Sequence, residues 1–356
     1  MVLKRLIRIS PDFFRLLLAL LVMVYHSVDF LTIGHFAVYI FFILSGYWIS
    51  KMFNEKYIRY DNTYWVYIRS RLLRVYPIYW LVFLFTVIVY FLTPQLRATV
   101  LAACGEDLPY SLINNFIVLS NNFNYKWWFI GSAWSLGVEL QFYLIAPIIL
   151  LALKNKNASV VLLVVSSLVA IGSIYYSLSI SKIDSIVTYL PYFIIGGLIY
   201  TWDLKASYSE ARISLLLVVG ILLVNYSIPY LRNNFLLNRE TQLAGFNYRE
   251  GLNVVLTLLM IPYIVFNVKQ ELAKSASDAI MSSMSYVVYL LHWPLLQVYA
   301  ITVQNVGFIQ KAIHLVTYYV ACIALSFLIS RYFDQAFEMK RRNWLRKLRY
   351  KQEVAI

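Results

Sequence analysis

The sequence predicts an all-α polytopic membrane protein with about ten transmembrane helices and both termini in the cytoplasm. Three observations predict it. Of the 356 residues, 61% are hydrophobic and only 13% charged, where soluble domains have about 45–50% and about 25%. Apolar runs of about 17–22 residues, the length that crosses a bilayer, recur along the chain. These runs do not alternate apolar and polar residues as barrel strands do, so the spanning structure is the helix, which satisfies its own backbone groups. This composition excludes a disordered chain. It also assigns the net charge of +14 to a membrane surface and not to nucleic acid.

The candidate spans are 12–31, 36–52, 76–93, 135–153, 158–178, 186–202, 213–230, 251–268, 283–303 and 312–331. With the N-terminus inside, 23 of the 31 Lys and Arg fall in cytoplasmic segments and seven in outside ones, with Arg15 in the first span. That split obeys the positive-inside rule, and the reverse topology inverts it. The first run has a basic flank but no small-residue cleavage site, so it reads as a retained span. Segments 94–134 and 231–250 read as the long outside loops, rich in Asn, Tyr and Phe, with Cys104 in the first of them. Two cysteines predict no disulfide framework. Residues 1–335 read as one transmembrane domain. Residues 336–356 read as a basic cytoplasmic tail that lies as a helix on the membrane surface.

Ionisable and polar residues inside spans are costly, and so they mark function. In the first span, Arg15 and His26 are eleven residues apart, about three turns, and project from one face roughly 16 Å apart along the axis. Asp12 precedes them. Asp29 stands three residues beyond His26, where it either orients the imidazole or faces water. The run from Trp134 and Ser135 through Glu139 and Gln141 to Tyr143 enters the fourth span from outside, with Glu139 near the depth of His26. In Ser285–Pro294, the proline frees a backbone carbonyl, and the plainest role for His292 is a hydrogen bond to that carbonyl. Arg71 and Arg74, at i and i+3 before the third span, share a face that suits a phosphate; ordinary positive-inside charge explains them equally. No Walker loop, GxGxxG, GxSxG elbow or metal-ligand spacing is present.

Taken together, these segments resemble the membrane acyltransferase-3 family over nearly the whole chain. Asp12-Phe-Phe-Arg15 with His26 is similar to the family's opening motif. Phe41-Phe42-Ile-Leu-Ser45-Gly46 resembles its second-span segment, and Arg71-Leu-Leu-Arg74-Val-Tyr-Pro77 its Arg-x-x-Arg-x-x-Pro. Trp134 to Tyr143, Ser285 to Pro294 and Phe337-Glu338 resemble later signatures, although Lys340 stands where the closing motif has proline. The resemblance implies a ten-helix bundle in the bacterial inner membrane. It implies an O-acyltransferase that moves an acyl group, acetyl by default, from cytoplasmic acyl-CoA to a hydroxyl of an extracytoplasmic glycan or glycolipid, such as an O-antigen or exopolysaccharide.

In that scheme His26 and Glu139 are catalytic, and Arg15, Arg71, Arg74 and Ser45 hold the donor. Asp12, Trp134, Ser135, Gln141, Tyr143 and His292 position the acceptor. No metal and no permanently bound cofactor are expected, and acetyl-CoA is a substrate. The partners are the glycan acceptor and membrane lipids, with a homo-oligomer left open. A transporter or flippase of a lipid-linked glycan is the rival reading, since it too needs many spans and a polar track; a sensor is a third.

Overall fold

The computed structural model describes residues 7–28, 33–119, 127–177, 185–237, 242–243, 246–269 and 276–354. Its long helices are α1 (Pro11–Ser27), α2 (Gly34–Glu55), α3 (Thr63–Leu92), α4 (Pro94–Cys104), α5 (Leu108–Ile117), α6 (Trp134–Ala152), α7 (Lys156–Ser177), α8 (Ile186–Thr201), α9 (Tyr208–Ser227), α10 (Tyr248–Leu259), α11 (Ile261–Val268), α12 (Ala276–Thr302), α13 (Phe308–Ile329) and α14 (Gln335–Val354). The strand content among the described residues is the two-residue pairing of Gln242–Leu243 with Phe246–Asn247. Within the described residues, each apolar run read from the sequence falls mainly on helix. Among the described residues, seven helices are long and apolar enough to cross a membrane, and the pair α10–α11, bent by 42°, makes an eighth. Pro262 opens α11 and cannot donate back to α10, which accounts for the bend. The first and sixth predicted runs form helices of 17 and 16 residues, shorter than the roughly 20 of a straight crossing. Length therefore supports seven or eight crossings where the sequence predicts about ten.

Two compact units make up the chain. The first comprises residues 1–51 and 148–282. In it, Pro11 starts α1 and the Ser10 hydroxyl caps it by accepting from the Phe13 amide at 3.2 Å. The same hydroxyl donates to Asp278 at 3.0 Å, and the Asn267 side chain accepts from the Ile9 amide at 3.0 Å. The start of α1 is thus fastened by side chains far off in sequence. Helices α2 and α8 cross with almost no spacing. A Cβ on Gly46 would run into the Phe193 carbonyl, and one on Gly196 into that of Ile43. Such close backbone approach is how helices associate where no hydrophobic drive separates lipid from protein.

The second unit comprises residues 52–147 and 283–356. Here the segment 94–134, read from the sequence as a long outside loop, carries two helices. Pro94 and Pro109 open α4 and α5, Gly105 turns the chain between them at φ 52°, and Cys104 is buried at the end of α4. The pair doubles back along α3. Tyr79 donates to the Asn115 carbonyl at 2.6 Å, Trp80 to that of Phe116 at 3.1 Å, and Tyr76 to that of Ile117. These are carbonyls of the last turn of α5, which have no partner within their own helix. Three aromatic donors, at i, i+3 and i+4 on α3, satisfy them. The contact lies 12 to 16 positions before the end of α3, on the order of 20 Å back along its axis. Ile113 and Phe116 face outward. At the other end of the chain, the predicted tail helix exists as α14. It continues from α13 through a π-helical turn, Ser330–Asp334, and it packs on α3, with Arg69 over the Trp344 ring at 5.0 Å.

Candidate active site

The predicted site residues divide between the units. Asp12, Arg15, His26 and Ser45 belong to the first; Arg71, Arg74, Trp134, Ser135, Glu139, Gln141, Tyr143 and His292 belong to the second.

In the first unit, α1 is unbroken between Arg15 and His26, so both half-buried side chains keep the shared face that their spacing predicts. The helix stops at Ser27 and is closed by the Val28 amide on the Val24 carbonyl at 3.0 Å. His26 therefore occupies the last turn, whereas the sequence reading carries the span on to residue 31. Asp12 sits in the opposite, first turn. Asp29 lies outside the described residues. The Tyr25 ring meets the His26 ring edge-on, with centroids 4.7 Å apart. Ser45 is half-buried beside Gly46, whose lack of a side chain serves the α2–α8 crossing.

The sequence reading missed one residue pair in this unit. His35 Nδ1 lies 2.8 Å from a Glu250 carboxylate oxygen. Their separation of 215 positions leaves no local motif. The fold brings them together through α10: Asn253, one turn beyond Glu250, accepts from the Phe36 amide at 2.8 Å. Consecutive residues at the start of α2 thus meet consecutive turns of α10.

In the second unit, the arginine end is a network. Arg74 Nη1 contacts both Asp334 carboxylate oxygens at 2.9 Å. Arg341 grips Glu338 at 2.8 and 2.7 Å and also donates to the Ser70 hydroxyl, which pairs with the Tyr57 hydroxyl at 2.8 Å. Arg71 differs. Its guanidinium lies over the rings of Tyr57, Tyr67 and Tyr143 at 5.7, 6.0 and 6.0 Å. Its buried Nε has no hydrogen-bond partner among the described residues. Tyr143, one face of that cage, donates to Glu139 at 2.8 Å, so the fourth-span carboxylate is tied to the cage.

Two sequence motifs meet in the same unit. Tyr286, Tyr289 and Trp293 recur along one face of α12. Tyr286 donates to the Val75 carbonyl at 3.0 Å. The Tyr289 hydroxyl lies 2.6 Å from that of Ser135 and donates to the Ser132 carbonyl. The Trp293 indole lies where any side chain on Gly131 would have to be. Ser135 therefore fastens α6 to α12. Trp134 is half-buried and Gln141 buried on α6. His292 is wholly buried, and its Nδ1 meets the Val288 carbonyl at 3.0 Å. The sequence reading assigns it to the carbonyl freed by Pro294, which belongs to Leu290. A helical side chain folds back over the preceding turn, and that geometry delivers the ring to the residue four positions before.

No group of three or more His, Cys, Asp or Glu gathers as a metal site among the described residues. The family described as an acyltransferase domain matches residues 8–331. No curated protein and no solved structure matches the chain. A match over nearly the whole chain, on a bundle of apolar helices that keeps each motif on a helix, makes this protein a multi-pass membrane acyltransferase of the acyltransferase-3 family.

Proposed function

We propose that the protein transfers an acyl group, acetyl in the simplest case, from cytoplasmic acyl-CoA to a hydroxyl of a glycan or glycolipid outside the inner membrane. The observation that carries the donor side is the environment of Arg71. Unlike Arg74 and Arg341, it meets ring faces in place of a carboxylate. A planar guanidinium held by aromatic stacking is suited to the phosphates of CoA. Arg15, on the face it shares with His26, assists the donor further along, with Ser45 leaving room for the acyl arm.

The chemistry falls to His26. A neutral imidazole accepts the proton of the acceptor hydroxyl as the oxygen attacks the thioester carbonyl, and the resulting imidazolium protonates the departing thiolate. Glu139 acts through Tyr143 and the cage, and Asp12, Trp134, Gln141 and His292 shape the acceptor side. The test is transfer of radiolabel from acetyl-CoA to envelope glycan by purified protein in detergent. The expected result is transfer by the wild type, lowered roughly 10²–10⁴-fold in His26→Ala while the variant still inserts. Transfer unchanged in that variant removes His26 from the mechanism. No transfer by the wild type returns the glycan transporter as the reading.

A further inference from the structure

His35 and Glu250 form a histidine–carboxylate pair that the proposed mechanism leaves unused. Nδ1 of His35 and the carboxylate are 2.8 Å apart, and the side chains keep 31% and 17% of their surface exposed. The pair is fastened from both sides. Asn253 on α10 holds the first turn of α2 through the Phe36 amide, and Gly34 leaves the space in which the Tyr25 ring lies against the start of α2. That ring is shared. Its centroid is 4.7 Å from His26 and 6.4 Å from His35. The two imidazoles of this unit therefore flank one tyrosine, one at the end of α1 and one at the start of α2.

We propose that His35 is a positioning residue for the acceptor: Glu250 holds its Nδ1–H, and Nε2 accepts a hydrogen bond from a hydroxyl of the substrate beside His26. The chemistry points to a polyol. With Nδ1 committed to a carboxylate, the ring takes one tautomer, so any contact with a substrate is made through Nε2. A histidine–carboxylate pair that stays partly exposed offers an oriented acceptor to a neutral hydroxyl, whereas a purely structural pair is better buried. This assignment rests on the acyl-transfer reading for its role, but not for its binding test.

Two isosteric replacements separate positioning from structure. An Asn amide nitrogen stands near the place of Nδ1 and keeps the clip to Glu250; a Gln amide stands near the place of Nε2. With acetyl-CoA as donor and methyl glycosides as acceptors, His35→Asn raises the acceptor KM at least about tenfold, the worth of one such hydrogen bond, and leaves the donor KM unchanged. His35→Gln recovers part of that loss. Wild-type acceptor KM in His35→Asn means that the pair is only a clip and overturns the proposal.

The second readout needs no turnover. The chain has four histidines, so diethylpyrocarbonate labelling can be followed at each by mass spectrometry, with wholly buried His292 as the inert control and His314 as the reference. His35 is labelled, labelled more slowly in Glu250→Gln, and protected by methyl glycoside alone, while His314 is not protected. An inert His35, or one indifferent to both the glycoside and Glu250→Gln, overturns the proposal. Glycoside protection without any acyl transfer by the wild type keeps it and discards the acyltransferase mechanism.

Discussion

On α3, Arg74 meets the Asp334 carboxylate through two 2.9 Å contacts, and one turn earlier Arg71 meets three tyrosine rings. The sequence presents them as equivalent, since both lie on one helical face and both belong to one motif. The surroundings separate them. Asp334 stands in the π-helical turn that joins α13 to α14, so the Arg74 ion pair ties that turn to α3 and is part of the fold. Arg71 is held by quadrupoles, which attract the cation without neutralising it. A motif of two arginines therefore divides into one that ties elements of the fold together and one, Arg71, that meets ring faces and that we propose for the donor.

The largest effect expected from this division is on stability. Asp334 is nearly fully buried, and Arg74→Ala strands its carboxylate. The cost is about 3 kcal/mol, at the low end for a broken buried pair because the Arg74 side chain keeps some exposure. Thermal unfolding in detergent reads it, and Arg74→Met combined with Asp334→Leu recovers most of the loss. If the single variant is as stable as the wild type, Arg74 is no structural clamp.

Arg71→Ala has the opposite signature. It leaves the melting temperature near that of the wild type and raises the donor KM by roughly 10–100-fold, the worth of a charge-assisted hydrogen bond of about 1.5–3 kcal/mol. Arg71→Lys does not restore it, because an ammonium neither stacks on the rings nor forks to a phosphate. Equal losses of stability in Arg71→Ala and Arg74→Ala, with the donor KM unmoved, erase the distinction.

A second contrast lies within the glycines. Gly46 faces the Phe193 backbone carbonyl, while a Cβ on Gly172 of α7 meets nothing within 4 Å. Gly46→Ala forces two backbones apart and costs about 1–3 kcal/mol, the range for overpacking. Gly172→Ala is neutral or stabilising by up to about 1 kcal/mol through helix propensity. The pair of melting temperatures decides whether the glycine of the Ser45-Gly46 motif serves packing. If Gly46→Ala is harmless, its place in the motif belongs to the substrate.

The contrasts also show what the sequence could say. Helix positions were legible because hydropathy is summed over many residues, and no single neighbour overrides it. The local spacing of Arg15 and His26 was legible because one unbroken helix fixes it. The doubling back of α4 and α5 was not. Its polar loop composition hid the outward apolar face of Ile113 and Phe116, and the two N1 prolines at 94 and 109 were the available signal. Arg71 and Arg74 were indistinguishable because the partners that separate them include Tyr143 and Asp334, far along the chain. The same holds for His35, whose meaning is set by Glu250.

The smallest effect concerns Asp203, at the surface after α8, and it tests charge where no ligand is at stake. The Lys269 ammonium donates to its carboxylate at 2.6 Å, and this hydrogen bond and charge hold the Asp203 carboxyl below the usual range. A depressed folded value contributes stability that is complete above the unfolded pKa of about 3.9 and is lost as pH falls through the folded one. Asp203 also adopts φ 48°, so the fitting replacement is Asn, which tolerates the left-handed region. Asp203→Asn lowers the melting temperature slightly at pH 7, and the gap closes on acidification below about 3.9, once both proteins carry a neutral side chain. The gap also shrinks with added salt, because the carboxylate is exposed to solvent. A gap that persists unchanged at low pH assigns the role of Asp203 to the turn geometry and none of it to the ion pair.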